Sequence, residues 1–330
     1  MSFSNQTLSP FEIYALQAPA HICWTVFGLF GTIANLIIVL TIGKTKLLHT
    51  KSQLLVASMA LTDAANDITY SVTGFKRYLF HAFGSLESVS MLNCAFQSWP
   101  LRLFAEASFN FKVVLSIDRL LAVATPVYYR TKNMKYYVLA VNACVWMYSV
   151  VQSFMTFIGY NPASDTPLNV CTAMTVVFNS FYQILISFAG IGRMMTVLLT
   201  YVAALICLWK HLRLMKVMPA EQRREERKQL ELGTFRTIVV IVIAYLLTSA
   251  AGTFSYLILP HVSEKTSISL APFFGLFFVI EGASHLLVFL VMSSSFRASV
   301  MALFKSNNVV VPPGNSASHS APNAWNRHHN

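Results

Sequence analysis

The chain consists largely of long apolar blocks separated by short polar connections. Seven blocks reach the roughly 20 residues that a helix needs to cross a bilayer. Within lipid, every backbone polar group must be hydrogen-bonded inside its own segment, so the blocks are predicted to be helices. The blocks are His21–Ile42, Gln53–Phe75, Cys94–Ala124, Tyr136–Ile158, Thr175–Trp209, Thr234–Leu259 and Ser267–Met292.

Lysine and arginine are unevenly distributed between the two sides of this predicted bundle. Eighteen of them lie in the connections after the first, third and fifth blocks, in the segment after the last block, and at Arg119 and Arg236. The opposite side holds three, namely Lys76, Arg77 and Lys265. Because cytoplasmic loops carry the basic excess, this bias predicts an outside N-terminus and a cytoplasmic C-terminus. The predicted fold is therefore an all-α bundle of seven transmembrane helices.

Composition supports a membrane protein. Hydrophobic residues make up 55% of the 330 residues, charged residues 11%, and the mean hydropathy is +0.56. Soluble domains carry about 25% charged residues. The net charge of +11 could suggest nucleic-acid binding. However, the basic residues lie in short loops between apolar blocks, so nucleic acid is not an expected partner, whereas membrane lipid is.

The ends of the chain differ from its middle. Residues 1–19 are predicted to be an extracellular N-terminus with a glycosylation sequon at Asn5, and no cleavable signal peptide is visible. Residues 20–305 form the predicted membrane domain. It ends in a short amphipathic eighth helix, Ser294–Phe304, expected on the inner membrane face. Residues 306–330, rich in Ser, Asn, Pro and His, are predicted to be a disordered cytoplasmic tail.

The third block carries the most specific pattern. Cys94 precedes Arg119 by 25 residues, about 37 Å of helix. Asp118 stands directly before Arg119, and Pro126 follows. This arrangement resembles the third membrane helix of rhodopsin-like G-protein-coupled receptors.

Further motifs extend the resemblance over about residues 28 to 305. They resemble family signatures in their order and spacing: Gly31 to Asn35, Leu61-Thr62-Asp63, Trp146, Cys171 and Phe235 to Tyr245. The departures are equally informative. Leu120 replaces the usual Tyr, Arg193 stands near the place of a proline, and His285 to Phe289 replaces Asn-Pro-x-x-Tyr. These departures resemble nematode serpentine chemoreceptors, most closely class SX.

The resemblance implies several site residues. Cys94 and Cys171 would form a disulfide on the outer side, and the other three cysteines fall in apolar blocks. Asp118, Arg119 and Pro126 would belong to the G-protein-coupling region. In the resting state, carboxylates would hold Arg119, with Asp118 as the local partner and Glu231 as a second one. Alternatively, Arg119 only reaches the membrane boundary with its charged end, and Glu231 is an ordinary loop residue.

Ionisable residues inside membrane helices cost free energy to bury and are usually functional. Asp63 matches the carboxylate of the family's sodium site, but His285 stands where an Asn would help complete that site. Sodium is therefore disfavoured, and no metal site or cofactor is predicted. Lys112 is hypothesised to be an internal cation that pairs with Asp63, alone or together with Glu281 and His285. Glu106 and Arg193 are expected to pair, although all these contacts could serve packing alone. The predicted polar core comprises Asn35, Asp63, Glu106, Lys112, Arg193, Glu281 and His285.

The ligand region is predicted from position and residue type. Arg102 lies two turns below Cys94, near the depth of the family's ligand cavity, and has no evident partner in the sequence. The carboxylate that amine receptors use near this point is missing, which favours an anionic or neutral ligand. Aromatic residues that could line the cavity, or could instead face lipid, are Phe104, Tyr160, Tyr182, Phe254, Tyr256 and Phe278.

The leading functional hypothesis is a chemosensory receptor that activates a heterotrimeric G protein on binding a small molecule or peptide. The alternative is a transporter or ligand-gated channel whose intramembrane charges line a path. Missing internal repeats disfavour that alternative. An integral membrane enzyme is not expected, because no phosphate-binding loop, nucleophile motif or histidine pair at metal-binding spacing occurs in the predicted helices.

Overall fold

A computed structural model shows that the described part of the chain is almost entirely helical. It describes residues 10–83, 89–131, 133–162, 167–168, 171, 180–215 and 264–305, together with 240, 243–245, 247–248, 258 and 262. The helices are α1 Pro10–Lys44, α2 Lys51–Phe83, α3 Met91–Ala124, α4 Pro126–Thr131, α5 Met134–Phe154, α6 Ser180–Met215, α7 Glu264–Met292 and α8 Ser294–Phe304. The described residues also form two 3₁₀ turns, Lys46–Leu48 and Met155–Phe157. Two short strands are present as well, β1 Val89–Ser90 and β2 Pro167–Leu168.

The helices extend beyond several of the predicted boundaries. α1 begins at Pro10, so the second half of the segment predicted as an extracellular N-terminus is helical. α2 continues eight residues past Phe75, to Phe83. The sixth predicted block, Thr234–Leu259, lies mostly outside the described residues, although 243–245 are helical.

Four of the described helices contain stretches long and apolar enough to cross a membrane: Phe11–Lys44, Met134–Phe157, Phe188–Lys210 and Ser269–Met292. α2 and α3 have a comparable length, 33 and 34 residues. They also carry most of the charged residues of the predicted polar core, which lowers their hydropathy. Many large apolar side chains face outward, such as Phe30, Leu139 and Leu287. A lipid environment covers such a surface.

Polar side chains fix the start of three helices. The hydroxyl of Ser90 accepts a hydrogen bond from the amide of Asn93 and caps α3 at 3.2 Å. The side chain of Asn133 caps α5, and Ser293 caps α8 through the amide of Phe296. These residue types satisfy backbone amides that a helix leaves unpaired at its N-terminus. The local sequence therefore sets where these helices begin.

α3 is the central element of the bundle. It packs against α2, α5 and α6, while α1 packs against α2 and α7. The main apolar core joins α1, α2, α3, α5, α7 and α8 around Phe111 and Phe296, both fully buried. This half of the bundle contains Arg119 and is called the Arg119 end below. The opposite half contains Cys94 and is called the disulfide end.

Candidate functional site

Buried polar side chains from four helices meet in the middle of the bundle. Asp63 and Asp67 come from α2, Asn35 from α1, and Glu281 and His285 from α7. All five are at most 8% exposed. Ser108 and Lys112 reach the same region from α3. We call these seven residues the polar core.

Each carboxylate of the polar core has its own nearest partner. The amide nitrogen of Asn35 donates to Asp67 Oδ2 over 3.0 Å. Asp63 Oδ1 accepts a hydrogen bond from the hydroxyl of Ser108, and Asp63 Oδ2 lies 3.2 Å from His285 Nδ1. The ammonium of Lys112 pairs with Glu281 Oε1 at 3.0 Å. The hypothesis grouped Lys112 and Asp63 with Glu281 and His285; within this group the ion-pair contacts are Lys112 with Glu281 and His285 with Asp63.

Two glycines make room for the carboxyl group of Asp67. A Cβ atom built on Gly282 would lie 2.8 Å from Asp67 Oδ2 and 3.3 Å from the side-chain nitrogen of Asn35. A Cβ atom on Gly31 would also overlap this carboxyl group. Small residues let neighbouring membrane helices approach closely. The contact between α1, α2 and α7 thus depends on these two positions.

A second ion pair joins α3 to α6 nearer the disulfide end. The predicted pairing of Glu106 with Arg193 is confirmed, because the two side chains form a salt bridge. The guanidinium of Arg193 lies 5.4 Å from the ring centroid of Phe109, and the ammonium of Lys112 lies 5.2 Å from the same centroid. Phe109 also contacts Phe278 edge to face at 5.4 Å. Phe109 is thus the aromatic contact common to both ion pairs.

At the Arg119 end, three hydroxyl groups surround the carboxylate of Asp118. Ser52 donates to Oδ2 over 2.6 Å, and Tyr129 and Tyr137 donate to Oδ1 over 2.9 and 3.0 Å. Among the residues that the structure describes, no carboxylate lies within ion-pair distance of Arg119. The prediction that Asp118 is the local partner of Arg119 is therefore wrong, because the hydroxyls of α2, α4 and α5 occupy its oxygens.

The phenol of Tyr129 lies beside the carboxylate of Asp118, which changes its pKa. It lies in α4, the short helix that begins at Pro126. Partial burial, and then the adjacent carboxylate of Asp118, raise the pKa of the Tyr129 phenol above its usual value. The ammonium of Lys51 contacts the Tyr129 backbone carbonyl and lies 4.9 Å from the ring centroid. α4 is thus attached to both α2 and α3.

A cavity of about 50 Å³ is lined both by residues of the polar core and by Arg119. Its volume is sufficient for a few water molecules. The polar part of the lining consists of Lys112, Glu281 and His285 from the core and of Arg119, Tyr201 and Tyr245. The rest of the lining is apolar. The cavity therefore connects the two polar regions of α3.

The disulfide end is stabilised by covalent and polar contacts. Cys94 and Cys171 form the predicted disulfide, beside the antiparallel pairing of Val89 with Leu168. The guanidinium of Arg77 donates to the carbonyl of Cys171 and lies 5.7 Å from the ring centroid of Trp24. α1 and α2 are thereby joined to the segment that carries Cys171.

The predicted ligand residues are only partly described. Arg102 is half-buried and has an interaction partner, so the prediction that it lacks one is wrong. Tyr160 also has a partner, and Phe104 contacts Trp146 edge to face at 6.3 Å. Tyr182 lies in α6, but its side chain is outside the described residues. Phe254, Tyr256, Glu231 and Asn5 lie outside them as well.

Several residues of the site were missed by sequence reasoning. Ser52, Tyr129 and Tyr137 belong to ordinary-looking stretches, and only the folded chain brings them to Asp118. Ser108 lies eleven residues before Arg119, about three helical turns away on a similar face. That spacing is a signal that could have indicated it.

Comparison with known proteins identifies the family. The model of the rhodopsin family of seven-transmembrane receptors matches residues 34–294. A Gq-coupled rhodopsin of Mizuhopecten yessoensis is 26% identical over 136 residues, 41% of this chain and 27% of that protein. Trace amine-associated receptor 9 of Mus musculus is 31% identical over 166 residues, 48% of this chain and 45% of that receptor.

Each match therefore spans less than half of the relative's length. The family match, in contrast, covers most of the chain and includes the polar core, Arg119 and both disulfide cysteines. The chain belongs to the rhodopsin family of seven-transmembrane G-protein-coupled receptors, which are not enzymes.

Proposed function

We propose that this receptor is chemosensory, binds its ligand between the helices at the disulfide end, and activates a heterotrimeric G protein at the Arg119 end. The bias of Lys and Arg supports an outside N-terminus and a cytoplasmic Arg119 end. Membership of the receptor family supports a plasma-membrane location for the seven-helix bundle. Under this orientation, α8 lies along the inner membrane face. Its Phe296 and Val300 side chains are buried, and it packs against α1 and α7.

The observation that carries the proposal is the environment of Arg119. Its guanidinium is planar and presents five hydrogen-bond donors. The neighbouring carboxylate of Asp118 is bound by Ser52, Tyr129 and Tyr137 instead. Arg119 lines the cavity that leads to the polar core. An arginine so placed is available to a partner protein when the helices around it separate.

α3 provides the physical connection between the two ends. It carries Cys94, Glu106, Lys112 and Arg119 on one continuous helix. Its ion pairs attach it to α6 and α7. A ligand that binds one arrangement of these helices more tightly than another shifts the population towards that arrangement. Helix displacement at the disulfide end would then change the contacts of Arg119.

The ligand class follows from the residues at the expected depth of the cavity. Leu101 and Arg102 stand where amine receptors have a carboxylate, so we propose an anionic or neutral small molecule or peptide. The similarity to a trace amine-associated receptor does not change this, since that match covers 45% of the relative. The resemblance to class SX nematode receptors supports the chemosensory role.

The test is nucleotide exchange on purified Gα subunits of the four main classes, with the receptor in nanodiscs. Exchange is measured without ligand and with a panel of anionic and neutral odorants. We expect exchange on at least one Gα, and Arg119→Ala to reduce it by about tenfold or more, equivalent to about 1.4 kcal/mol. Lys135→Ala, which removes an exposed cation at the same end, is the matched control.

Two results would count against the proposal. Equal exchange by Arg119→Ala and wild type would show that Arg119 is not needed for coupling. A folded wild-type receptor that stays silent with every Gα and every compound would require an ion-flux assay next. Glu231→Ala adds a separate measurement, since increased basal exchange is expected if Glu231 restrains Arg119.

A further inference from the structure

We propose that Lys112 is the resident cation of the polar core and that this core is closed to sodium. The inference concerns the ionic composition of the protein interior and does not depend on G-protein activation. Three carboxyl groups, Asp63, Asp67 and Glu281, lie in the core and are at most 2% exposed. The basic groups that face them among the described residues are Lys112 and His285.

Each carboxyl group of the core has a polar partner on another helix. Lys112, on α3, pairs with Glu281, on α7, at 3.0 Å. His285, also on α7, lies 3.2 Å from Asp63, on α2. Asp67 accepts from the neutral side chain of Asn35, on α1. A buried charge is costly unless it is paired, so removal of one member of such a pair is strongly destabilising.

The site does not fit a sodium ion. The family places its sodium at the carboxylate that Asp63 matches, and hard cations require several oxygen ligands. Here one oxygen of Asp63 accepts a hydrogen bond from the hydroxyl of Ser108, and the basic side chain of His285 lies 3.2 Å from the other. The nearby ammonium of Lys112 would also repel a second cation in a medium of low dielectric constant.

The ammonium of Lys112 is attached covalently to the chain, whereas a sodium ion diffuses in and out. Its concentration in the site is therefore fixed, so the ion pair between α3 and α7 does not depend on the salt outside the cell. Bound sodium, in contrast, stabilises a protein only as far as its concentration exceeds its dissociation constant. The structure thus assigns to Lys112 a stabilising role that does not respond to sodium.

The experiment measures thermal unfolding of the purified full-length receptor at constant ionic strength in sodium, potassium or N-methylglucamine chloride. Wild type is expected to have the same Tm in all three salts. Lys112→Met is expected to lower Tm and to make it rise with sodium, because Glu281 and Asp63 then need a cation. The double variant with Lys112→Met and Glu281→Gln is expected to have a higher Tm than Lys112→Met alone. Its Tm should also rise much less with sodium.

The wild-type titration alone can overturn the proposal, even if the variants fail to fold. A saturable increase in Tm with sodium and not with potassium would show that the core accepts the ion. A Lys112→Met receptor with unchanged Tm and no sodium response would show that Lys112 is not the cation that balances these carboxylates. Glu281→Gln provides an independent variant, for which a lower Tm without a sodium response is expected.

Discussion

The hydroxyl of Ser52 donates a 2.6 Å hydrogen bond to the carboxylate of Asp118, which attaches α2 to the residue immediately before Arg119. Both side chains are buried, at 8% and 0% exposure. Together with the hydrogen bonds from Tyr129 and Tyr137, this bond engages both carboxylate oxygens of Asp118. Asp118 is therefore not an ion-pair partner of Arg119. The position of α2 therefore determines where this acidic side chain lies.

Ser52→Ala is expected to destabilise the receptor by about 1–3 kcal/mol, because a buried carboxylate loses one of its donors. Thermal unfolding in nanodiscs would show this as a decrease in Tm. Ser58→Ala on the same helix is the matched control, since the hydroxyl of Ser58 donates only to the carbonyl of Leu54 one turn earlier. Equal Tm values for the two variants would contradict the assigned role of Ser52.

Tyr129 predicts a specific response to alkaline pH. Its pKa is raised in the folded state, by burial and then by Asp118, above the usual value of about 10. Above that pH the unfolded chain loses the phenolic proton first, so stability falls as pH rises further. Below pH 10 the group contributes no pH dependence.

Tyr129→Phe has no proton to lose and should show a shallower decrease in stability between pH 9 and 11 than wild type. The quantity to compare is the slope of the free energy of unfolding against pH, because loss of the hydrogen bond to Asp118 also lowers stability at neutral pH. Tyr136→Phe, which alters an exposed tyrosine at the same end, is the control. Parallel slopes for Tyr129→Phe and wild type would contradict the environment described for this phenol.

Gly282→Ala is expected to destabilise the receptor by about 1–3 kcal/mol, the usual effect of adding a methyl group to a filled core. The new Cβ atom would lie 2.8 Å from Asp67 Oδ2, which must then move. Gly192→Ala on α6 is the matched control, because nothing lies within 4 Å of its added Cβ atom. The order of the two Tm values decides the prediction, and a reversed order would refute the proposed close contact.

Loss of the Cys94–Cys171 bond should lower the free energy of unfolding by about 2–4 kcal/mol. The two cysteines are 77 residues apart, so the bond restricts a long segment of the unfolded chain. Cys171→Ser is compared with Cys144→Ser, which removes an exposed free thiol. If both substitutions shift Tm equally, the disulfide contributes no particular stability. Reduction of wild type should reproduce the effect of Cys171→Ser.

Some of the fold and site is predictable from sequence because it depends on local features. Long apolar blocks indicated the helices, and the resemblance of the motifs around Cys94, Cys171 and Arg119 to those of a known family indicated the disulfide and the arginine. Pairing of Glu106 with Arg193 was predictable because both are ionisable residues in apolar helices. Such residues rarely lie in lipid without a partner.

Other contacts depend on the rotation and relative height of separate helices, which apolar blocks do not specify. Lys112 had two acidic candidates, Asp63 and Glu281, on different helices, and only the packing of α7 against the bundle selects Glu281. Asp118 precedes Arg119 in sequence, but successive residues point in different directions on a helix. Its side chain therefore meets Ser52 instead. The start of α1 at Pro10 was likewise missed because its first turns are less apolar than the rest.

The ring of Phe109 has a consequence for the energetics of the whole site. It lies beside both Lys112 and Arg193, so the two ion pairs share one neighbour. Their contributions to stability are then not independent quantities. A substitution that breaks one pair alters the field and the packing at the other, and the two effects should not add. The charges that join α3 to α6 and to α7 act as a single cooperative unit.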